Sequence, residues 1–175
     1  MSGISYDLKK IKGLVFDVDG VLSPTVIPTD EEGLPVRMCN VKDGYALQLA
    51  VKMGLKIAII TGGTCPSVKK RYNILGIQDV FMSIPNKLPV LEQWMNENDL
   101  KQDETAYMGD DIPDLRCMRH VGLSATPADG AFEAKETALY VSRFTGGYGC
   151  VRDLIEQVLR AQGKWNTEDS RLFSW

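Results

Sequence analysis

The sequence predicts an α/β domain built on a parallel sheet with helices on both faces. Three observations predict it. Short apolar runs alternate with amphipathic stretches along the chain, the pattern of parallel strands joined by crossover helices. Three of the runs break off into polar, glycine-rich sequence, at Asp17-Val18-Asp19-Gly20, Thr61-Gly62-Gly63 and Gly109-Asp110-Asp111. In parallel sheets, ligands sit at such carboxyl ends. The length, 175 residues, suits one domain spanning 1–175 around one sizeable core.

Each element has its own signal. Gly13 to Phe16 is a buried strand ending in acids. Lys42 to Met53 reads as a helix, with Ala46, Leu49, Ala50 and Met53 on one face. Lys56 to Ile60 is a second buried strand. Ser67 to Leu75 is a helix stopped at Gly76, and Asp79 to Met82 a short strand. Asn86 to Asn96 is a helix whose Trp94 and Met95 face the sheet, and Thr105 to Met108 a strand. A short helix, a run from Val121 to Ser124, a helical turn near Phe132 and a strand from Ala138 to Val141 follow. Cys150 to Ala161 is the last helix. Val21 to Val41 breaks the alternation: Pro24, Pro28 and Pro35 flank an acidic turn at Asp30 to Gly33, which reads as a hairpin projecting from the sheet edge. The tail from Lys164 to Trp175 is polar but carries Trp165, Phe173 and Trp175, three aromatics suited to docking.

Composition excludes several classes. Hydrophobic residues make up 44% and charged residues 25%, as in soluble globular proteins. A net charge of −3 with no basic stripe argues against nucleic-acid binding. No apolar run of about 18 residues is present, so no membrane span is expected. Met1 to Lys12 lacks the apolar core of a signal peptide, which makes the cytoplasm the expected location. Cys39, Cys65, Cys117 and Cys150 form no CxxC pair and are expected to be reduced and buried, with Cys65 opening a helix. His120 is read as structural.

The chemistry concentrates in four places. Asp17 and Asp19 stand two apart on a loop after a strand, where their repulsion calls for a cation; hard oxygen donors suit Mg²⁺. Asp110, Asp111 and Asp114 form a second acidic cluster after another strand, with the Thr61 hydroxyl and Lys87 between the two. This order resembles the four motifs of the haloacid dehalogenase superfamily over nearly the whole chain, with Asp17-Val18-Asp19-Gly20 first, Thr61 second, Lys87 third and Gly109-Asp110-Asp111-Ile112-Pro113-Asp114 fourth. The resemblance implies a Rossmann-like three-layer sandwich and aspartyl-phosphate chemistry. Asp17 would be the nucleophile and Asp19 the general acid and base. Mg²⁺ would lie on the Asp17 carboxylate, the Asp19 carbonyl and the Asp110 carboxylate, with Asp111 and Asp114 behind, and Thr61, Gly62 and Lys87 would hold the phosphoryl oxygens.

Spacing narrows the subclass. Only 44 positions separate Asp17 from Thr61, and 26 separate Thr61 from Lys87, which leaves no room for a cap domain. Within capless members, Lys42-Asp43-Gly44-Tyr45, Asn86-Lys87, Gly146-Gly147-Tyr148-Gly149-Cys150-Val151-Arg152 and Ala161-Gln162-Gly163-Lys164-Trp165 resemble the 3-deoxy-D-manno-octulosonate 8-phosphate phosphatase family. That resemblance implies a sugar-acid phosphate substrate, lipopolysaccharide precursor synthesis and a homotetramer built on the hairpin, with each site closed by a neighbour. The tail would add a second gate. Gly63, Thr64, Arg71 and Asp43 are the candidate substrate residues; Lys69, Lys70, Arg143 and Arg37 are further candidates for the substrate carboxylate. Gly63 and Thr64 stand where octulosonate relatives often carry Arg and nine-carbon relatives Glu, and Tyr148 stands where a basic residue is common. A nine-carbon sialic-type 9-phosphate is the alternative substrate. A catalytically inactive binding module is the alternative of another class, disfavoured because both Asp17 and Asp19 are present. A mutase would need a second phosphate site and usually a cap.

Overall fold

A computed structural model describes residues 3–168. Its six strands are β1 (Gly13–Phe16), β2 (Lys56–Ile60), β3 (Asp79–Phe81), β4 (Thr105–Met108), β5 (Leu123–Thr126) and β6 (Tyr140–Val141). The helices are α1 (Val41–Lys52), α2 (Pro66–Ile74), α3 (Lys87–Glu97), α4 (Leu115–His120), α5 (Phe132–Thr137) and α6 (Cys150–Ala161). Every strand pairing is parallel and the spatial order is β3-β2-β1-β4-β5-β6. The chain winds outward from β1 through β2 to β3, then returns to place β4 on the other side of β1. The reversal leaves a crevice beyond the carboxyl ends of β1 and β4, the topological switch point at which α/β sheets bind ligands.

Alternation of side chains across the sheet makes two cores. Leu14, Phe16, Ile57, Ile59 and Met108 point to one face, under Leu47 of α1, Tyr72 of α2 and Leu154 of α6. Val15, Ala58, Ile60 and Tyr107 point to the other, under Leu91 and Trp94 of α3 and Met118 of α4. Continuous apolar runs are what a sheet covered on both sides requires. Helix α1 starts at Asn40, whose side-chain oxygen accepts from the Lys42 and Asp43 amides.

Two local expectations change. Strand β5 lies two residues later than the run from Val121 to Ser124, because the Gly122 amide is drawn to the Gln102 carbonyl at 2.6 Å and Val121-Gly122 becomes the turn. The segment from Val21 to Val41 folds back on itself, but its only antiparallel bridge is Thr29 to Pro35, closed by amide-to-carbonyl bonds from Asp30 to Leu34 and from Val36 to Pro28. Three prolines remove the donors a longer ladder would need. Val26, Leu34, Val36 and Met38 on this loop are exposed.

Trp165 packs edge-to-face on Tyr45 with ring centroids 6.1 Å apart, and Arg152 lies 5.0 Å from its ring centre. The start of the tail thus docks on its own domain; Phe173 and Trp175 lie outside the described residues. Cys117 and Cys150 are buried, whereas Cys39 is exposed. Among the described residues, no helix is long and apolar enough to cross a membrane. The α1 and α6 packing holds one core together, so Leu154→Ala should lower stability by about 2–5 kcal/mol. Urea unfolding checks this, and a loss under about 1 kcal/mol would mean that the site collapses without a cavity.

Candidate active site

Asp17 follows β1, its amide bonded to the Met108 carbonyl at 3.1 Å, so its side chain emerges where the β1 and β4 ladder ends. Beyond it the chain turns tightly, with Ser23 N donating to Val18 O and Gly20 N to Ser23 O. Gly20 takes a φ of +84°, and a Cβ there would collide with the Asp110 carboxylate. Glycine at 20 is therefore what lets the two acidic loops approach. The Asp110 loop leaves β4 through Gly109, whose amide reaches Ala125 O.

Asp114 is buried and organises the floor. Its Oδ1 accepts from Lys87 Nζ at 2.7 Å and from the Tyr107 hydroxyl at 2.6 Å. Its Oδ2 accepts from the amides of Asp110 at 3.1 Å and Asp111 at 3.5 Å. With both oxygens engaged, Asp114 positions its neighbours, and its side chain does not cap α4. Lys87, the first residue of α3, is buried and also lies 2.9 Å from Asp17 Oδ1. That contact is an ion pair whose angle is poor for a hydrogen bond, so Asp17 Oδ1 is a buried oxygen without an aligned donor. Thr61 is buried after β2, its amide on Phe81 O and its hydroxyl oxygen accepting from Gly63 N at 3.1 Å.

A cavity of about 530 Å³ at these strand ends brings together Asp17, Asp19, Thr61, Gly62, Gly63, Lys87, Asp110, Asp111 and Asp114. Three residues expected at the substrate do not line it. Thr64 bonds Ser83. Arg71 lies in the last turn of α2. Asp43 is buried against the start of α6, accepting from Arg152 N at 2.8 Å, and burial pushes its carboxyl up to about 6. The Gly146 and Gly147 amides are used inside the protein, on Asp129 and on Val21 O. One participant escaped the sequence reading, and another was named there without its partner. Tyr107 looks like core in an apolar strand, and its hydroxyl is visible as a donor only once Asp114 is placed. Arg37, one of several basic candidates, forks onto Asp19.

The electrostatics are unbalanced. Oxygens of Asp17, Asp110 and Asp114 lie within 4.8 Å of one another, and Lys87 is the buried cation that touches Asp17 and Asp114. Burial, with Asp114 beside it, pushes the Asp17 carboxyl up to about 7 despite Lys87. Burial, then Asp17, Asp114 and Asp111, pushes Asp110 up to about 8. Buried carboxylate oxygens of Asp17 and Asp110 this close together are a donor set for a small hard divalent cation such as Mg²⁺, which Asp17 and Asp110 would hold. A sign follows. Unfolded carboxyls titrate near 4, so between about pH 4 and 8 the folded chain holds more protons, and its metal-free stability falls as pH rises. A cation competes with those protons. Mg²⁺ should therefore raise Tm little at pH 5 and progressively more toward pH 8, by calorimetry; a pH-independent shift would contradict the assignment.

No family model matches the chain. Among curated proteins, it is 36% identical over 156 residues to the 3-deoxy-D-manno-octulosonate 8-phosphate phosphatase KdsC of Escherichia coli strain K12, covering 89% of this chain and 83% of that one. Among solved structures, the same phosphatase from Moraxella catarrhalis, in complex with magnesium, phosphate and KDO, superimposes with a TM-score of 0.88 at 32% identity, covering 95% and 96% of the two chains. A haloacid dehalogenase superfamily (subfamily III A) hydrolase from Legionella pneumophila gives 0.86 at 36% identity over 90% and 87%. The chain belongs to the 3-deoxy-D-manno-octulosonate 8-phosphate phosphatase family of the haloacid dehalogenase superfamily and is a phosphoric monoester hydrolase.

Proposed function

We propose that this protein hydrolyses 3-deoxy-D-manno-octulosonate 8-phosphate to the free sugar acid and phosphate, with Mg²⁺, through a phosphorylated Asp17, and so supplies a lipopolysaccharide precursor. The observation that carries the reading is Asp17 itself: a buried carboxylate at a strand end, 2.9 Å from Lys87 and facing Asp110, in a chain related to phosphatases of that name. Bound Mg²⁺ would neutralise charge between the phosphoryl group and the carboxylates. An Asp17 oxygen attacks phosphorus, the bond from phosphorus to the sugar oxygen breaks, and Asp19 gives that oxygen its proton. Water then attacks the same phosphorus, Asp19 takes the proton released, and the bond from phosphorus to Asp17 breaks. Lys87 and Thr61 hold the phosphoryl oxygens, while Tyr107 and Asp114 fix Lys87 from behind.

Asp17→Asn should abolish phosphate release without unfolding the chain, since an amide cannot form the acyl phosphate; turnover near that of the parent would refute the nucleophile. The eight-carbon 8-phosphate should exceed the nine-carbon 9-phosphate in kcat/KM at least tenfold, equivalent to about 1.4 kcal/mol. A reversed preference would make the nine-carbon acid the substrate. We also propose a homotetramer built on the loop between β1 and α1. Its exposed Val26, Leu34, Val36 and Met38 support self-association, and pairing between copies would complete a ladder its prolines leave short. Light scattering should give four times 19.4 kDa, and an active monomer would refute the assembly.

A further inference from the structure

Arg37 belongs to the loop between β1 and α1, yet its side chain turns inward and is only 8% exposed. Its Nε donates to Asp19 Oδ1 at 2.9 Å and its Nη2 to Asp19 Oδ2 at 2.8 Å, a bidentate fork on the carboxylate. The same Nη2 occupies the space above Gly63, where a Cβ would collide with it. Arg37 is thus wedged between the acid after β1 and the loop after β2 that carries Thr61. The Asp19 side chain remains 43% exposed and lines the cavity. The loop is tied near Arg37 by Met38 N on Ser23 Oγ at 3.1 Å, and most of its residues are exposed.

This arrangement conflicts with the first half-reaction. Both Asp19 oxygens are taken up by guanidinium N–H donors, whereas one of them must face the sugar oxygen that it serves as the ester bond breaks. Arg37 must therefore leave Asp19 before the ester bond breaks. Displacing a bidentate fork calls for another anion of the same planar shape, and the substrate proposed above is a carboxylic acid as well as a phosphate ester. We propose that Arg37 is the specificity residue for that acid: it exchanges Asp19 for the substrate carboxylate, so that only a carboxylate-bearing ester frees the general acid. The inference rests on the sugar-acid assignment and goes further by naming the residue and tying selection to acid release. A neutral phosphate ester leaves the fork on Asp19 and is turned over slowly.

The test compares 3-deoxy-D-manno-octulosonate 8-phosphate with a neutral primary sugar phosphate, in the parent enzyme and in Arg37→Gln, with Mg²⁺ present. With Arg37→Gln, kcat/KM for the acid should fall about 100-fold, the usual scale for losing a buried charged partner. For the neutral ester it should rise, because Asp19 is no longer held. Equal losses on both, or none on either, would overturn the proposal. Should the variant lose both through misfolding, Arg37→Lys decides: recovery on the acid alone supports the exchange, and parallel recovery on both overturns it. The parent enzyme separates this inference from the substrate assignment. If it prefers another carboxylate-bearing phosphate, such as the nine-carbon 9-phosphate, the substrate reading fails while the Arg37 comparison is made unchanged on that ester.

Discussion

Crowding of carboxylates around one buried ammonium is the constraint on which the rest of the structure depends. The winding of the sheet sets β1 beside β4, and each strand delivers its acids to the same crevice. Asp17, Asp110 and Asp114 then lie within 4.8 Å of one another around Lys87. In a metal-free chain burial, and then the neighbouring carboxylates, hold the Asp17 and Asp110 carboxyls far above the usual range despite Lys87. Such a site is costly for folding and useful for catalysis. It is preorganised for a cation and for the charge of a phosphoryl group, so little reorganisation is needed when they arrive.

The surrounding architecture keeps that cluster in place. Tyr107 donates from inside the strand to Asp114, Asp114 orients Lys87, and Lys87 reaches Asp17, so a chain of short polar contacts runs from the core to Asp17. Gly20 removes the one atom that would separate the two acidic loops. The loop between β1 and α1 returns to the site through Arg37, which reaches back onto Asp19.

Much of this was legible in the sequence, for physical reasons. Gly13–Phe16, Lys56–Ile60 and Thr105–Met108 are apolar without interruption because both their faces are covered, and their ends are marked by acids or glycine. The cluster of Asp17, Asp19, Thr61, Lys87 and Asp110 could be named because the acids and Thr61 follow such ends and Lys87 opens a helix. What the sequence concealed depends on tertiary placement. Asp43 and Arg71 are polar residues in suggestive stretches, but one serves the α1 and α6 junction and the other lies in the last turn of α2. Tyr107 gives no local sign that its hydroxyl matters. The grip of Arg37 on a residue 18 positions away follows from how a proline-rich loop returns to the sheet, which no periodicity encodes.

In the proposed mechanism the phosphoryl group passes through Asp17 and is not lost directly to water. The most direct measurement is the stereochemical course at phosphorus, using a phosphorothioate analogue of the substrate made chiral with one oxygen isotope and hydrolysed in water carrying another. Two successive in-line displacements at the same phosphorus predict overall retention of configuration. Inversion would mean a single displacement by water, and would contradict the account.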